Sequence, residues 1–176
     1  MPNYCNYQMK VKGNNENINE FISMMNYTHP QKQFYRVFSA DVYESEDDYV
    51  CISGDVAWSV YCAFLSLTGK CEHTGKYYTF ISDVSRELQL EIEIYSSEPG
   101  MCFQEHFLFD KGETIYIDCL DFYEYWYDDM AYEGETDEEK FAAFLEDIGL
   151  NITPEDLDEN GNYCIGGFEN FGVWTI

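Results

Sequence analysis

Leu88-Gln89-Leu90-Glu91-Ile92-Glu93-Ile94-Tyr95 alternates apolar and polar positions. Leu88, Leu90, Ile92 and Ile94 fall on one face and Gln89, Glu91 and Glu93 on the other, the period-two pattern of a strand wetted on one side. What precedes this stretch sets the fold it belongs to. Residues 3–11 alternate Tyr4, Asn6, Gln8 and Lys10 against Cys5, Tyr7, Met9 and Val11, which predicts a first strand ended by Gly13-Asn14. Ile18, Phe21, Ile22 and Met25 then recur at helical spacing, predicting an amphipathic helix that stops near His29-Pro30. Residues 34–43 and 49–53 read as two strands around the acidic turn at 44–48, hence a hairpin. After Gly54-Asp55, the residues Ala57, Trp58, Val60, Tyr61, Phe64 and Leu65 suit a largely buried helix running to Leu67. The order strand, helix, strand, strand, helix, strand predicts an α+β chain: a ferredoxin-like split βαβ core (βαββαβ) over residues 1–96.

Downstream, Pro99-Gly100 and Lys111-Gly112 are turn signals that separate two further strands at 101–109 and 114–122. Thr136 and Glu139 form a capping box ahead of the stripe Phe141, Phe144, Leu145 and Ile148, with Gly149 at the C′ position. Thr153-Pro154 starts a short helical turn, Asn160-Gly161 is a hairpin-type turn, and 163–168 and 173–176 read as closing strands. No linker or repeat interrupts the chain. Residues 1–176 are therefore expected to form a single domain, with 97–176 as a C-terminal β/α extension packed on the core.

Charge is the unusual property. Of 176 residues, 34 are Asp or Glu and 9 are Lys or Arg, giving a formal net charge of −25. Aromatic residues supply 18%, so the acid sits on a chain with ample material for a core rather than on a disordered one. Direct binding to nucleic acid is disfavoured, because that affinity comes from Lys and Arg neutralising phosphates. An anionic membrane is disfavoured for the same reason, and no apolar run approaches the ~20 residues of a spanning helix. A basic protein surface is the favoured partner, including one that holds nucleic acid. The seven cysteines are odd in number, irregular in spacing and without a CxxC, and the N-terminus lacks the features of a signal peptide. Reduced thiols in a cytoplasm are the simplest expectation.

The acid is also uneven. Between residues 113 and 159 there are 17 acidic residues against one basic residue, Lys140. The segment 118–133 interleaves that charge with aromatics. It makes Asp118, Asp121, Glu124, Asp128, Asp129 and Glu133 candidate charges for a partner, and Tyr125, Trp126 and Tyr127 candidate anchors. Same-face side chains on a strand repeat every ~6.6 Å, and duplex DNA carries one charge per ~1.7 Å of axis. Carboxylates on neighbouring strands therefore approximate an anionic lattice. The competing reading is an acidic face that keeps a small protein dispersed.

Other constellations are weaker. Asp156-x-Asp158-x-Asn160-Gly161 matches the first half of an EF-hand loop, but its twelfth position is Gly167 where a bidentate Glu is required. Cys62, Cys71 and His73 do not have zinc-site spacing. Glu105-His106 reads as half of an acid–base pair with no nucleophile motif or phosphate loop beside it. Trp58, Tyr61 and Phe64 are spaced for a helix core. Catalysis is not expected, nor is any cofactor or metal.

The pieces Met1-Pro2-Asn3-Tyr4-Cys5-Asn6, residues 52–60 (ISGDVAWSV), residues 97–106 (SEPGMCFQEH) and Gly172-Val173-Trp174 resemble the YubB-type ferredoxin-like family of phage and plasmid proteins. The resemblance spans most of the chain and implies a ferredoxin-like fold and a mobile-element setting, with no common activity. The chain departs from that family in its acidity after residue 113 and in its closing residues. The setting implies an inhibitor of host defence, anti-CRISPR or antirestriction in kind, acting as a DNA mimic on a CRISPR effector nuclease or restriction enzyme. The alternative is a non-mimetic interaction module whose acidity is background.

Overall fold

The computed structural model describes residues 3–98, 100–101, 103–121, 136–147 and 167–168. Strand β1 (Tyr4–Lys12) forms where the alternation places it, with Cys5, Tyr7, Met9 and Val11 all fully buried. Asn14 caps helix α1 (Asn15–Met25) by accepting from the Asn17 amide at 2.9 Å, and Ile18, Phe21, Met24 and Met25 face inward. Each such buried side chain contributes roughly 1.5–3 kcal/mol by leaving water. The next strands are β2 (Lys32–Gln33), β3 (Asp41–Ser45) and β4 (Tyr49–Ala57). Helix α2 (Val60–Phe64) and the short strands β5 (Gly69–Lys70) and β6 (Tyr77–Tyr78) follow. Helix α3 (Ile81–Leu88) leads through Gln89, in the left-handed conformation at φ 53°, into β7 (Glu91–Glu98). Strands β8 (Phe103–Asp110) and β9 (Glu113–Asp121) come next, then helix α4 (Asp137–Asp147).

The expected ferredoxin-like split βαβ core with a C-terminal β/α extension is not what forms. The chain is mostly β, with few helices and two sheets. One sheet has six strands in the order β3-β4-β1-β7-β8-β9, every neighbour antiparallel. The other has three short strands in the order β2-β6-β5. Three local events account for the difference. Gly54-Asp55 does not end β4, which runs on to Ala57. The helix expected from 57 to 67 shrinks to the five residues of α2, and a helix that the alternation at Leu88 obscured forms at 81–88 instead. Finally, β8 and β9 continue the sheet outward from β7, so it grows to six strands.

The core lies between one face of the large sheet and helices α1 and α3. Ile52 and Val56 of β4, Ile92 and Ile94 of β7, and Phe107 and Phe109 of β8 meet Phe21 and Met24 of α1 and Val84 of α3 there. The Asn17 side chain donates to the Leu88 carbonyl at 2.7 Å and ties the two helices together. The second face is covered in part: Gln8 and Gln104 are fully buried, and the Phe168 amide donates to Gln8 Oε1 at 3.1 Å.

Helix α4 carries the capping box read from the sequence. The Glu139 amide donates to Thr136 Oγ1 at 3.2 Å and the Thr136 amide donates to Glu139 Oε2 at 3.3 Å. Thr136→Ala removes one of these bonds and should cost about 1 kcal/mol in a urea titration, with Thr136→Ser close to wild type. The expected stripe residue Phe144 is buried. Gly149, the turns at 153–156 and 160–161, the EF-hand-like residues 156–161 and the closing strands lie outside the described residues, except that Gly167 and Phe168 are described and are not in a strand.

Candidate protein-binding face

The outermost strands of the large sheet, β3 and β9, are both acidic. Asp41 and Glu44 lie on β3, followed by exposed Glu46, Asp47 and Asp48 in the turn. Glu113, Asp118 and Asp121 lie on β9, with Asp118 opposite His106 and Asp121 opposite Phe103 in register. Of the sequence-derived candidates, the structure therefore places Asp118 and Asp121 on the same outermost strand. Glu124, Tyr125, Trp126, Tyr127, Asp128, Asp129 and Glu133 lie outside the described residues.

The basic residues are few, and most already have a partner within the chain. Seven of the nine are engaged within the fold. Lys12 pairs with Glu91, Lys32 with Glu87, Arg86 with Asp83 and Lys111 with Asp110. Lys76 donates to the Tyr27 carbonyl, Lys10 sits 4.1 Å from the Tyr49 ring centroid, and Arg36 sits 4.4 Å from that of Trp58. Glu91 and Glu93, two charges that could have extended an anionic lattice, are tied up as well. Glu93 meets His106 Nε2 at 3.0 Å and accepts from the Tyr95 hydroxyl at 3.2 Å. The His106 hydrogen bond is the main cause holding the Glu93 carboxyl below its ordinary range.

Glu105 and His106 do not form an acid–base pair. Successive strand residues point to opposite faces, so Glu105 enters the core side while His106 stacks on Tyr95 across the second face at 4.1 Å. Glu105 is 3% exposed and accepts from the amides of Val60 (2.8 Å) and Tyr61 (3.2 Å) and from Ser96 Oγ (2.6 Å). Burial pushes its carboxyl up, against those hydrogen bonds. The group is a structural cap that fixes the start of α2.

Cys71 sits in the β5–β6 turn. Hydrogen bonds from the Thr74 and Tyr78 side chains, and from the Thr74 and His73 backbone, pull its thiol down to about 6. Burial drives Cys5 and Cys51 the other way. Thiolate absorbance near 240 nm should therefore titrate with a step close to pH 6 that vanishes in Cys71→Ser and moves upward in Thr74→Val. Among the described residues, no three His, Cys, Asp or Glu side chains converge as metal ligands. No helix among them is long and apolar enough to cross a membrane.

Sequence reasoning missed a surface at the other end of the sheet. Trp58 and Tyr61, read as helix core beside Phe64, are 42% and 52% exposed; only Phe64 is buried. Tyr4 (57% exposed) packs on Phe38 (47%) with ring centroids 5.0 Å apart. Trp58 and Arg36 both hold left-handed backbone, at φ 66° and 50°, and stack on one another. For bulky residues that conformation is uncommon and costs of order 1–3 kcal/mol each. The same part of the sheet holds a pocket of about 260 Å³ lined by Asn6, Ser39, Asp41, Ser53 and Asp55, together with Tyr7 and Gly54. The visible signal was Tyr4 on the polar side of an alternating strand. Phe38 and Trp58 gave none, because both belong to irregular connections. Comparison of the chain with protein-family models, with curated proteins and with solved structures finds no match.

Proposed function

We propose that the protein is an acidic inhibitor, encoded by a mobile element, that binds a basic nucleic-acid-binding protein in the host bacterial cytoplasm and blocks its nucleic-acid site. A CRISPR effector nuclease or a restriction enzyme has the required chemistry. The observation that carries this reading is the charge: −25 overall, with seven of the nine cations already partnered within the chain itself. Such a surface attracts a positively lined groove at long range, speeds association, and weakens as salt rises. β9 supplies Asp118 and Asp121 and leads directly into Glu124 and the aromatic anchors Tyr125, Trp126 and Tyr127. The mobile-element setting rests on the sequence resemblance alone. No catalytic step and no cofactor is part of the mechanism, which is occlusion.

The test is capture of a host protein at low and moderate salt, followed by competition with nucleic acid for that protein. Captured protein should release its DNA or RNA, and capture should fall as salt is raised. Reversing Asp118, Asp121, Asp128 and Asp129 to Lys should abolish both effects while the thermal melt persists. If the reversed variant binds and inhibits as wild type does, mimicry by this segment is wrong.

The exposed rings of Tyr4, Phe38 and Trp58 favour a second reading, a non-mimetic interaction module. Under it, capture is insensitive to salt and is lost on Trp58→Ala.

A further inference from the structure

We propose that the pocket at the open end of β1, β3 and β4 receives an arginine side chain from the partner protein. The inference rests on the partner being basic and adds where that partner is gripped. Asp41 and Asp55 line the pocket with the amide of Asn6 and the hydroxyl of Ser53, and no lining residue is basic. Asp41 is exposed and Asp55 is half-buried. Asp55 Oδ2 accepts from Ser39 Oγ at 3.2 Å, and the Asp55 amide donates back to that oxygen at 3.0 Å. The carboxylate is thereby oriented before any partner arrives. Neither carboxylate belongs to an ion pair among the described residues.

Two exposed aromatic residues, Tyr4 and Phe38, are neighbours in the chain of lining residues and pack on one another. Tyr4 lies two residues before Asn6 on the same face of β1, ~6.6 Å away. Phe38 is anchored by its amide, which donates to the Asp55 carbonyl at 2.8 Å. A guanidinium fits this combination better than an ammonium. It is planar, stacks on aromatic faces, and presents a fork that meets a carboxylate through two hydrogen bonds. Arg36, two residues before Phe38 in the chain, is directed onto the Trp58 and Tyr35 rings. Its charge is held by rings outside the pocket lining. Charge, shape and flat apolar surface thus select one chemistry of occupant, an arginine in an exposed segment of a basic protein.

The experiment measures binding of two short peptides, one alternating glycine with arginine and one alternating glycine with lysine, to the whole chain by calorimetry. The arginine peptide should bind more tightly than the lysine peptide. The paired substitution Asp41→Asn with Asp55→Asn should weaken it ~tenfold or more, and Phe38→Ala should weaken it severalfold. Removing two charges elsewhere, by Glu16→Gln with Glu72→Gln, should change it less than ~twofold, since exposed charges at a distance are screened. Thermal melts of each variant confirm folding. Equal losses from the two paired variants, or equal affinity for the two peptides, would overturn the pocket assignment while leaving the acidic-inhibitor reading standing. Absence of any salt-sensitive binding to wild type would overturn both.

Discussion

Gly54→Ala is expected to destabilise the protein by ~3 kcal/mol or more, the magnitude of a core position forced to accept atoms it has no room for. A Cβ at this position would lie 2.0 Å from the Ser39 carbonyl oxygen, 2.6 Å from its carbon and 2.8 Å from the Tyr7 hydroxyl. Two of those atoms are backbone and cannot swing aside. They are also pinned: the Phe38 and Ser39 amides donate to the Asp55 carbonyl, and the Tyr7 hydroxyl donates to the Ser39 carbonyl at 2.8 Å. Relieving the overlap moves the 38–41 connection outward and strands the hydroxyl of a fully buried tyrosine. Gly75→Ala is the appropriate comparison. Gly75 has φ +73° with nothing within 4 Å of its Cβ position, so only the left-handed penalty of ~1–2 kcal/mol applies. Urea titrations of the two variants should differ by at least ~1 kcal/mol. Equal midpoints would mean that the Ser39 backbone does not approach the strand as described.

The second large effect is expected at Glu105. Glu105→Ala leaves three donors, the Val60 and Tyr61 amides and Ser96 Oγ, without their acceptor in a dry site, and should cost ~3–5 kcal/mol. Glu105→Gln is milder and more informative. Its single oxygen can replace Oε2, but its NH2 then faces the Tyr61 amide, donor against donor. The pH dependence separates the charge from the shape. The folded carboxyl titrates above its ordinary value of 4.5, so its contribution to stability is fully present below that value. That contribution is lost as pH rises through the raised folded value, because the folded state holds the proton longer than the unfolded one. The stability gap between wild type and Glu105→Gln should therefore be widest in acid and narrow toward neutrality. Glu93 has the opposite sign: its folded carboxyl is held low by His106, so its contribution exists above the ordinary value and fades as pH falls. A gap that widened toward neutrality would show that Glu105 is not desolvated.

Much of the local structure was legible because it obeys periodicity. The alternation in β1, the stripe of α1, the apolar face at Leu90, Ile92 and Ile94, and the Thr136–Glu139 box all form where the residues place them. The overall architecture was not legible, and the reasons are specific. Gly54 reads as a breaker, yet it sits in mid-strand because a distant carbonyl occupies the space of its missing side chain. Ile81, Val84 and Leu88 carry a helical stripe, but Leu88 also starts the alternation that continues into β7, and the longer pattern masked the shorter. Gln8 falls on the polar side of its strand, yet it is fully buried. Periodicity says which residues share a side, not whether the chain later covers it. Of the expected partner site, only the strand positions of Asp118 and Asp121 can be placed. The pocket at Asp41 and Asp55 escaped the sequence because Asn6, Ser39 and Ser53 meet only through tertiary folding.

The acidic outer strands also govern how copies of the chain behave toward each other. Among the described residues, β3 and β9 each have a strand paired on one side only, and an edge of that kind offers amides and carbonyls that another copy's strand can extend, which is the route to fibrils. Here β3 presents Asp41 and Glu44 and β9 carries Glu113, Asp118 and Asp121. Bringing either one against a copy of itself at neutral pH gathers like charges along the edge, which is repulsive. That protection depends on ionisation. Near the sequence pI of 4.1 the net charge of the chain vanishes, the mutual repulsion is gone, and the same two strands become the sites where self-association starts.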